Sequence, residues 1–173
     1  MMLIMIFIMV PRAAVSAQRI QEVLDTEPTI LDGSLSDAVN AEVGTVEFKN
    51  VTFKYPAAQT AVLEDVSFIA KPGETVAFIG ATGSGKSTLV NLIPRFYDVT
   101  SGEILVNGID VRQYSQENLH DYIGYASQKA SLFEGSIKSN VAYGHNNRAR
   151  VLDSDIVEAI EVAQASEFVE KLE

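Results

Sequence analysis

Cysteine and tryptophan are absent from this 173-residue chain, and histidine occurs only at His120 and His145. Disulfides, thiolate metal sites and cysteine nucleophiles are therefore excluded. Two histidines leave almost no material for a histidine-rich metal centre, and both read as ordinary polar residues. Basic residues are outnumbered: 13 Lys+Arg stand against 23 Asp+Glu, a net charge of −10. A general nucleic-acid binder needs a basic face, so nucleic acid is not an expected partner. Phosphate can still be held locally by backbone N–H groups, which need no net charge. The hydrophobic fraction of 47% fits a globular core and excludes wholesale disorder, and the length fits one domain.

Long apolar runs are also scarce. Met1 to Val10 (MMLIMIFIMV) is uninterrupted, but a spanning helix needs about 20 such residues. No basic stretch precedes it, as a signal peptide requires. The cut end of a longer membrane helix, an interfacial anchor, a misassigned start and a buried N-terminal segment all remain open. Arg12 and Arg19 follow at once, which favours the cut helix with its cytoplasmic flank. Ala13, Ala17, Ile20 and Leu24 then recur on one helical face up to Asp25. Residues 1–24 are thus expected to be the end of a membrane helix and its extension. Residues 25–44 carry Asp25, Glu27, Asp32, Asp37 and Glu42 without a Lys or Arg, and contain Pro28, Gly33, Ser34 and Ser36. That composition predicts an exposed acidic linker. A compact region, 45–173, follows.

Thr45 to Tyr55 alternates in two registers. Val46 and Phe48 set one face and Val51, Phe53 and Tyr55 the next, broken at Asn50. Two short strands or one bulged strand fit. Val62 to Ala70 is a second strand, ended by Lys71-Pro72-Gly73. Thr75 to Ile79 (TVAFI) is nearly continuous in apolar residues, the pattern of a parallel strand covered on both faces. Leu89, Val90, Leu92 and Ile93 predict a helix ending near Arg95. Glu103 to Val106 is a strand turned by Asn107-Gly108, Tyr122 to Ala126 is another, and a helix opens near Ser154 and Asp155.

Gly80-Ala81-Thr82-Gly83-Ser84-Gly85-Lys86-Ser87 fits the phosphate-loop spacing G-x-x-x-x-G-K-[ST] at every required position. A strand pattern runs in and a helix pattern runs out, as the motif requires. Glycine permits the φ angles and close approach that turn backbone N–H groups onto phosphate oxygens. The following helix offers its N-terminus to the anion. Lys86 supplies a point charge to the β- and γ-phosphates, and the Ser87 hydroxyl suits Mg²⁺.

With these residues in view, the sequence resembles the nucleotide-binding domain of an ATP-binding cassette (ABC) transporter, of the exporter type with membrane helices fused ahead of the cassette. VEFKNVTFKYP (46–56), LEDVSFIAKPGETVAFIGATGSGKST (63–88), LIPRFYDVTSGEILVNGIDV (92–111) and IGYASQKASLFEGSIKSNVAYG (123–144) are each similar to that family's segments, and MVPRAAVSAQRIQEVLDTEP (9–28) resembles the end of its last membrane helix and connector. The resemblance implies an α/β P-loop NTPase fold: the N-terminal portion of the cassette, with an antiparallel β subdomain and an incomplete parallel core. It implies ATP and Mg²⁺ as ligands, held by Tyr55 as the purine-stacking aromatic, by the 80–88 loop and by Gln128. Gln128 maps to the Mg²⁺ and attacking-water position, and Thr88 to a phosphate oxygen. Leu132 and Phe133 map near the contact with the membrane domain. The complete protein would couple ATP hydrolysis to export across the cell membrane. Its cassette would lie on the cytoplasmic side and pair with a second cassette as a homo- or heterodimer.

The departures are specific. Ser127 and Lys129 flank Gln128, where many exporters have proline and an acidic residue. No Leu-Ser-Gly-Gly-Gln signature, no apolar strand ending in Asp-Glu and no switch histidine occurs in the chain. The expectation is a fragment that holds nucleotide, lacks the hydrolysing half and is marginal or aggregation-prone by itself. Two other classes stay open. A small P-loop phosphotransferase would need an Arg-rich lid, and beyond Gln128 only Arg148 and Arg150 cluster. A non-catalytic nucleotide-binding module would be complete as it stands.

Overall fold

The structure, a computed structural model, describes residues 2–35, 43–144 and 151–172. Asp37 and Glu42 of the linker, together with His145, Arg148 and Arg150, lie outside the described residues. The chain divides into two units, 1–115 and 116–173.

The first unit opens with α1 (Met2–Leu24), a single helix that runs through Pro11. Proline inside a helix removes one backbone hydrogen bond, so the apolar run and the Ala13–Leu24 face are continuous across it. Ile20 and Leu24 of that face are exposed. Among the described residues no helix is long and apolar enough to cross a membrane.

The sheet is built from β1 (Val46–Phe53), β2 (Leu63–Ala70), β3 (Ser101–Val106) and β4 (Ile109–Asp110). All its ladders are antiparallel, in the order β2-β1-β3-β4. The two registers of 45–55 resolve as one bulged strand. Phe48 pairs with Phe68 and Val51 with Val66, with a shift between them. Asn50 takes φ 48° at the bulge. Its N–H donates to Ser67 Oγ at 2.8 Å and its Nδ2 to Asp65 Oδ1 at 2.8 Å. The extra residue re-phases the strand, so Phe48, Val51 and Phe53 are all buried despite their uneven spacing. Asn107 and Gly108, both at positive φ (53° and 77°), turn β3 into β4 as a tight hairpin demands. Tyr114 is fully buried, and its hydroxyl donates to Val106 O at 2.9 Å.

Thr75 to Ile79 and Tyr122 to Ala126, both expected as strands, belong to no ladder. A parallel strand exists only through neighbours on its edges. The sheet of the described residues is antiparallel throughout and ends at β2 and β4. Ile79 is 97% exposed, so the double covering that TVAFI calls for is not supplied within the described residues.

The linker is less free than its composition predicts. Gly33 N–H donates to Tyr114 O at 3.0 Å and Leu35 N–H to Gln113 O at 2.9 Å, while Leu35 O accepts from Ser115 N–H at 3.1 Å. Leu35 thereby forms a parallel bridge with Tyr114. A Cβ on Gly33 would lie 2.2 Å from Gln113 O, so only glycine allows this approach.

The helix α2 (Lys86–Leu92) buries Thr88, Leu89 and Leu92. Past it, Arg95 N–H bonds Leu92 O at 3.1 Å and Phe96 N–H bonds Asn91 O at 3.2 Å. Arg95 sits between them at φ 57°. This is the Schellman ending, with arginine in the left-handed place that glycine or asparagine normally fills. Its buried guanidinium accounts for the choice: Nε and Nη2 grip Asp98 Oδ1 and Oδ2 at 2.7 and 3.2 Å. Nearby, Arg112 makes a similar fork onto Asp110, with Nε–Oδ1 at 3.0 Å and Nη2–Oδ2 at 2.6 Å.

The second unit holds α3 (Gln116–Asp121), α4 (Ile137–Val141), α5 (Asp153–Val162) and α6 (Ser166–Val169). Ser136 caps α4 by accepting from Ser139 N–H at 3.1 Å. The expected helix opening at Ser154 and Asp155 is present as α5. There the Asp155 carboxylate reaches back to Leu152 N–H at 2.9 Å, and Lys138 pairs with Asp153. Ile156 is buried.

Candidate functional site

The phosphate-loop residues come from the irregular run after β2 and the first turn of α2. Gly80, Ala81, Thr82, Gly83 and Ser84 are exposed, and Gly85 and Lys86 are half-buried. Gly83 and Gly85 both take left-handed φ, 83° and 86°. Gly85 is held tightly as well. A Cβ there would meet Leu63 Cδ2 at 2.9 Å and the backbone oxygen of Val62 at 3.1 Å. The loop therefore needs glycine at 85 for two independent reasons, conformation and space. At Gly83 only conformation requires it, since nothing lies within 4 Å.

Lys86 ties the loop together. Its Nζ donates to Gly80 O at 2.8 Å, Ala81 O at 2.7 Å and Ser84 Oγ at 3.2 Å. The ammonium thus satisfies two loop carbonyls and a loop hydroxyl. The first-turn N–H groups of α2 have no intrahelical partner and carry the positive end of its dipole. The loop thus places a cation beside the open N–H groups of a helix start, groups of the kind that can bind an anion. Ser87 is exposed at that turn. Its hydroxyl is a hard oxygen ligand of the kind Mg²⁺ takes alongside phosphate oxygens and water. Among the described residues no cluster of three His, Cys, Asp or Glu is placed to hold a metal. The residues present therefore fit a Mg²⁺ that arrives with its nucleotide, rather than one held by a protein cage.

Tyr55, just beyond β1, stands at the same cavity. A hollow of about 310 Å³ is lined jointly by Tyr55, Val62 and residues 83–88. Tyr55 Oη lies 3.0 Å from Thr88 Oγ1, which ties the aromatic to the loop helix. The resemblance assigns Thr88 only a phosphate oxygen, and no sequence signal marks this bond. Val62 was also missed as a lining residue. A larger hollow of about 470 Å³ is lined by Leu63, Val66, Ala77, Phe78 and Ile79 with part of the loop. It is mainly apolar, and its polar wall is the loop itself, so the smaller cavity is the better match to a nucleotide.

Gln128 lies in the second unit, exposed within a bend, beside Ser127 Oγ donating to Lys129 O at 2.9 Å. Leu132 and Phe133 are exposed in the same unit and line a hollow of about 360 Å³ with Ile137, Val141, Phe168 and Val169. Asn140 clamps the Phe133 backbone from both sides, accepting its N–H at 2.8 Å and donating to its carbonyl at 3.0 Å. The Phe133 ring stacks on Tyr143 with centroids 4.2 Å apart.

Comparison with known proteins bears on this site. The family described as ABC transporter matches residues 63–173. An uncharacterised ABC transporter ATP-binding protein of Bacillus subtilis is 46% identical over 98% of this chain and 28% of its own length. A similarly described protein of Mycobacterium tuberculosis is 44% identical over 98% of this chain and 29% of its own. An ATP-dependent lipid A-core flippase of Methylobacillus flagellatus is 38% identical over 91% of this chain and 26% of its own. A solved bacterial Atm1-family ABC exporter with ATP bound superposes with a TM-score of 0.82 at 30% identity, covering 99% of this chain and 30% of that one. The chain thus spans less than a third of the length of these relatives.

Proposed function

The chain belongs to the ABC transporter family, and from that premise we propose that it binds ATP between Tyr55 and the 80–88 loop, as the nucleotide-holding part of an exporter. The observation that carries this reading is the single cavity walled by both Tyr55 and the phosphate loop. In it the purine stacks on the Tyr55 ring while N–H groups of Gly83, Gly85, Lys86, Ser87 and Thr88 surround the phosphates. Lys86 trades its carbonyl and hydroxyl partners for phosphate oxygens. Ser87 would hold Mg²⁺. When bound, that ion neutralises charge building on the phosphates.

Hydrolysis belongs to the larger assembly. Among the described residues none lining the cavity is an Asp, Glu or His, so they offer no base there to activate water. Binding the ground state and the transition state alike does not raise a rate. By itself the chain holds ATP without turning it over. In the complete protein a second cassette, in a homo- or heterodimer, supplies the facing groups. Hydrolysis then powers export at the cell membrane, with this region on the cytoplasmic side. Residues 1–24 continue a membrane helix, and the exposed Leu132–Phe133 region meets the membrane domain. The support is the apolar start of α1, the exposure of Leu132 and Phe133 and the family itself.

Equilibrium dialysis of MgATP against the full chain tests the reading. Saturable binding that is weakened about 10- to 100-fold in Lys86→Ala and accompanied by no phosphate release is expected. Absence of binding in folded chain refutes it.

A further inference from the structure

We propose that Tyr97 is a positioning residue for the purine platform, holding the plane of the Tyr55 ring so that a nucleotide base can stack on it. The inference rests on the reading of Tyr55 as that platform. A tyrosine side chain has two soft torsions. The bond from Tyr55 Oη to Thr88 Oγ1, at 3.0 Å, fixes how far the ring reaches but leaves its plane to the neighbours. Two rings supply that restraint. Phe53 meets Tyr55 with centroids 4.8 Å apart and planes at 81°. Tyr97 meets it at 5.2 Å and 87°. Both are edge-to-face arrangements, which the ring quadrupole favours and which resist rotation about the ring axis. Phe53 and Tyr97 also touch each other, at 5.6 Å, closing a triangle of three rings.

Phe53 is buried in β1 and reads as core, but Tyr97 is 38% exposed, and burial alone gives an aromatic little reason to be there. Its backbone is set from two directions. The Schellman ending at Arg95 fixes where the chain leaves α2, and the Arg95–Asp98 fork clamps the residue after it. One short helix therefore governs both halves of the site. Its first turn carries Lys86, Ser87 and Thr88, and the turn after its last residue returns Tyr97 to the purine side.

The test uses the full chain and two probes, MgATP and inorganic tripolyphosphate, which shares the phosphates and lacks the base. Tyr97→Leu is expected to weaken MgATP about fivefold, the size of one aromatic pair, and to leave tripolyphosphate unchanged. Tyr97→Phe, which keeps the ring, restores MgATP binding. Tyr55→Ala is measured alongside. If Tyr55→Ala weakens MgATP selectively and Tyr97→Leu does not, the positioning role is wrong and the platform stands. If Tyr55→Ala shows no selective loss, the platform reading fails and the inference with it. Equal weakening of both probes by Tyr97→Leu means a purely structural role and also overturns the proposal.

Discussion

Replacing Gly85 and Gly83 separately with alanine tests the loop geometry through one contrast. Both residues have left-handed φ, 86° and 83°. An L-residue there costs roughly 1–2 kcal/mol. Alanine also stiffens the unfolded chain, which offsets roughly 0.4–1 kcal/mol of that. Gly83→Ala should therefore destabilise by about 1 kcal/mol, since its Cβ enters open space. Gly85→Ala carries the same conformational cost plus a collision. Leu63 Cδ2 would stand at 2.9 Å, and Val62 O, which is backbone and cannot swing aside, at 3.1 Å. Overpacking of this kind costs typically 1–3 kcal/mol, so Gly85→Ala should destabilise by about 3 kcal/mol in all. The assay is urea unfolding followed by far-ultraviolet circular dichroism, with the slope checked for constancy. Stability is the right readout, because a Cβ at either place also changes the room left for phosphate. Equal destabilisation by the two variants, within about 0.5 kcal/mol, would show that the wall from Val62 and Leu63 does not confine the loop and would refute the reasoning.

Lys86→Ala should weaken MgATP by about 10- to 100-fold in equilibrium dialysis, the size of one charge-assisted phosphate contact; a smaller loss would mean that Nζ stays with Gly80 O and Ala81 O when nucleotide binds. Asp110→Asn should cost about 1–2 kcal/mol at neutral pH by urea unfolding, through loss of the Arg112 fork. Burial opposes ionisation of Asp110, but hydrogen bonds from Arg112 and the charges of Arg112 and Arg95 outweigh it and hold the carboxyl below its ordinary 3.8. The unfolded chain therefore takes up this proton first on acidification. The stabilisation is complete above the ordinary value and fades as pH falls through the lowered one, so the gap between wild type and Asp110→Asn must narrow in acid, and a constant gap contradicts it. The exposed Val76 and Ile79, in a segment that joins no ladder among the described residues, predict that the chain associates when isolated; a monomeric size-exclusion peak with a sharp thermal transition would falsify this.

Local chemistry was legible wherever a few neighbouring residues decide the outcome. The break at Asn50 narrowed the choice to two short strands or one bulged strand, of which the bulge forms, Asn107-Gly108 marked the turn after β3, and the glycine spacing located a loop whose φ angles follow it. What escaped depends on partners distant in sequence. TVAFI has the composition of a buried parallel strand, but a strand is a property of a pair, and no described segment pairs with it. The acidic linker read as solvated because acidic side chains dominate it. Its docking at Gly33 and Leu35 is made by backbone groups, which composition does not report. The Tyr55–Thr88 bond joins residues 33 apart and leaves no mark in either one's neighbourhood. Gln128 was singled out by resemblance alone, and its exposed bend carries no local signature.

The seam at Leu35 also has a mechanical meaning. Between Thr26, whose N–H still bonds Val23 O, and the backbone bond at Gly33 runs a stretch of chain that spans roughly 24 Å when taut. Beyond that reach, tension falls on the Gly33 and Leu35 hydrogen bonds to residues 113–115. From there it passes through the buried Tyr114 hydroxyl to the carbonyl of Val106. Val106 pairs with Val46 of β1. A large displacement of α1 therefore pulls on β3, which lies beside β1, the strand that leads to Tyr55.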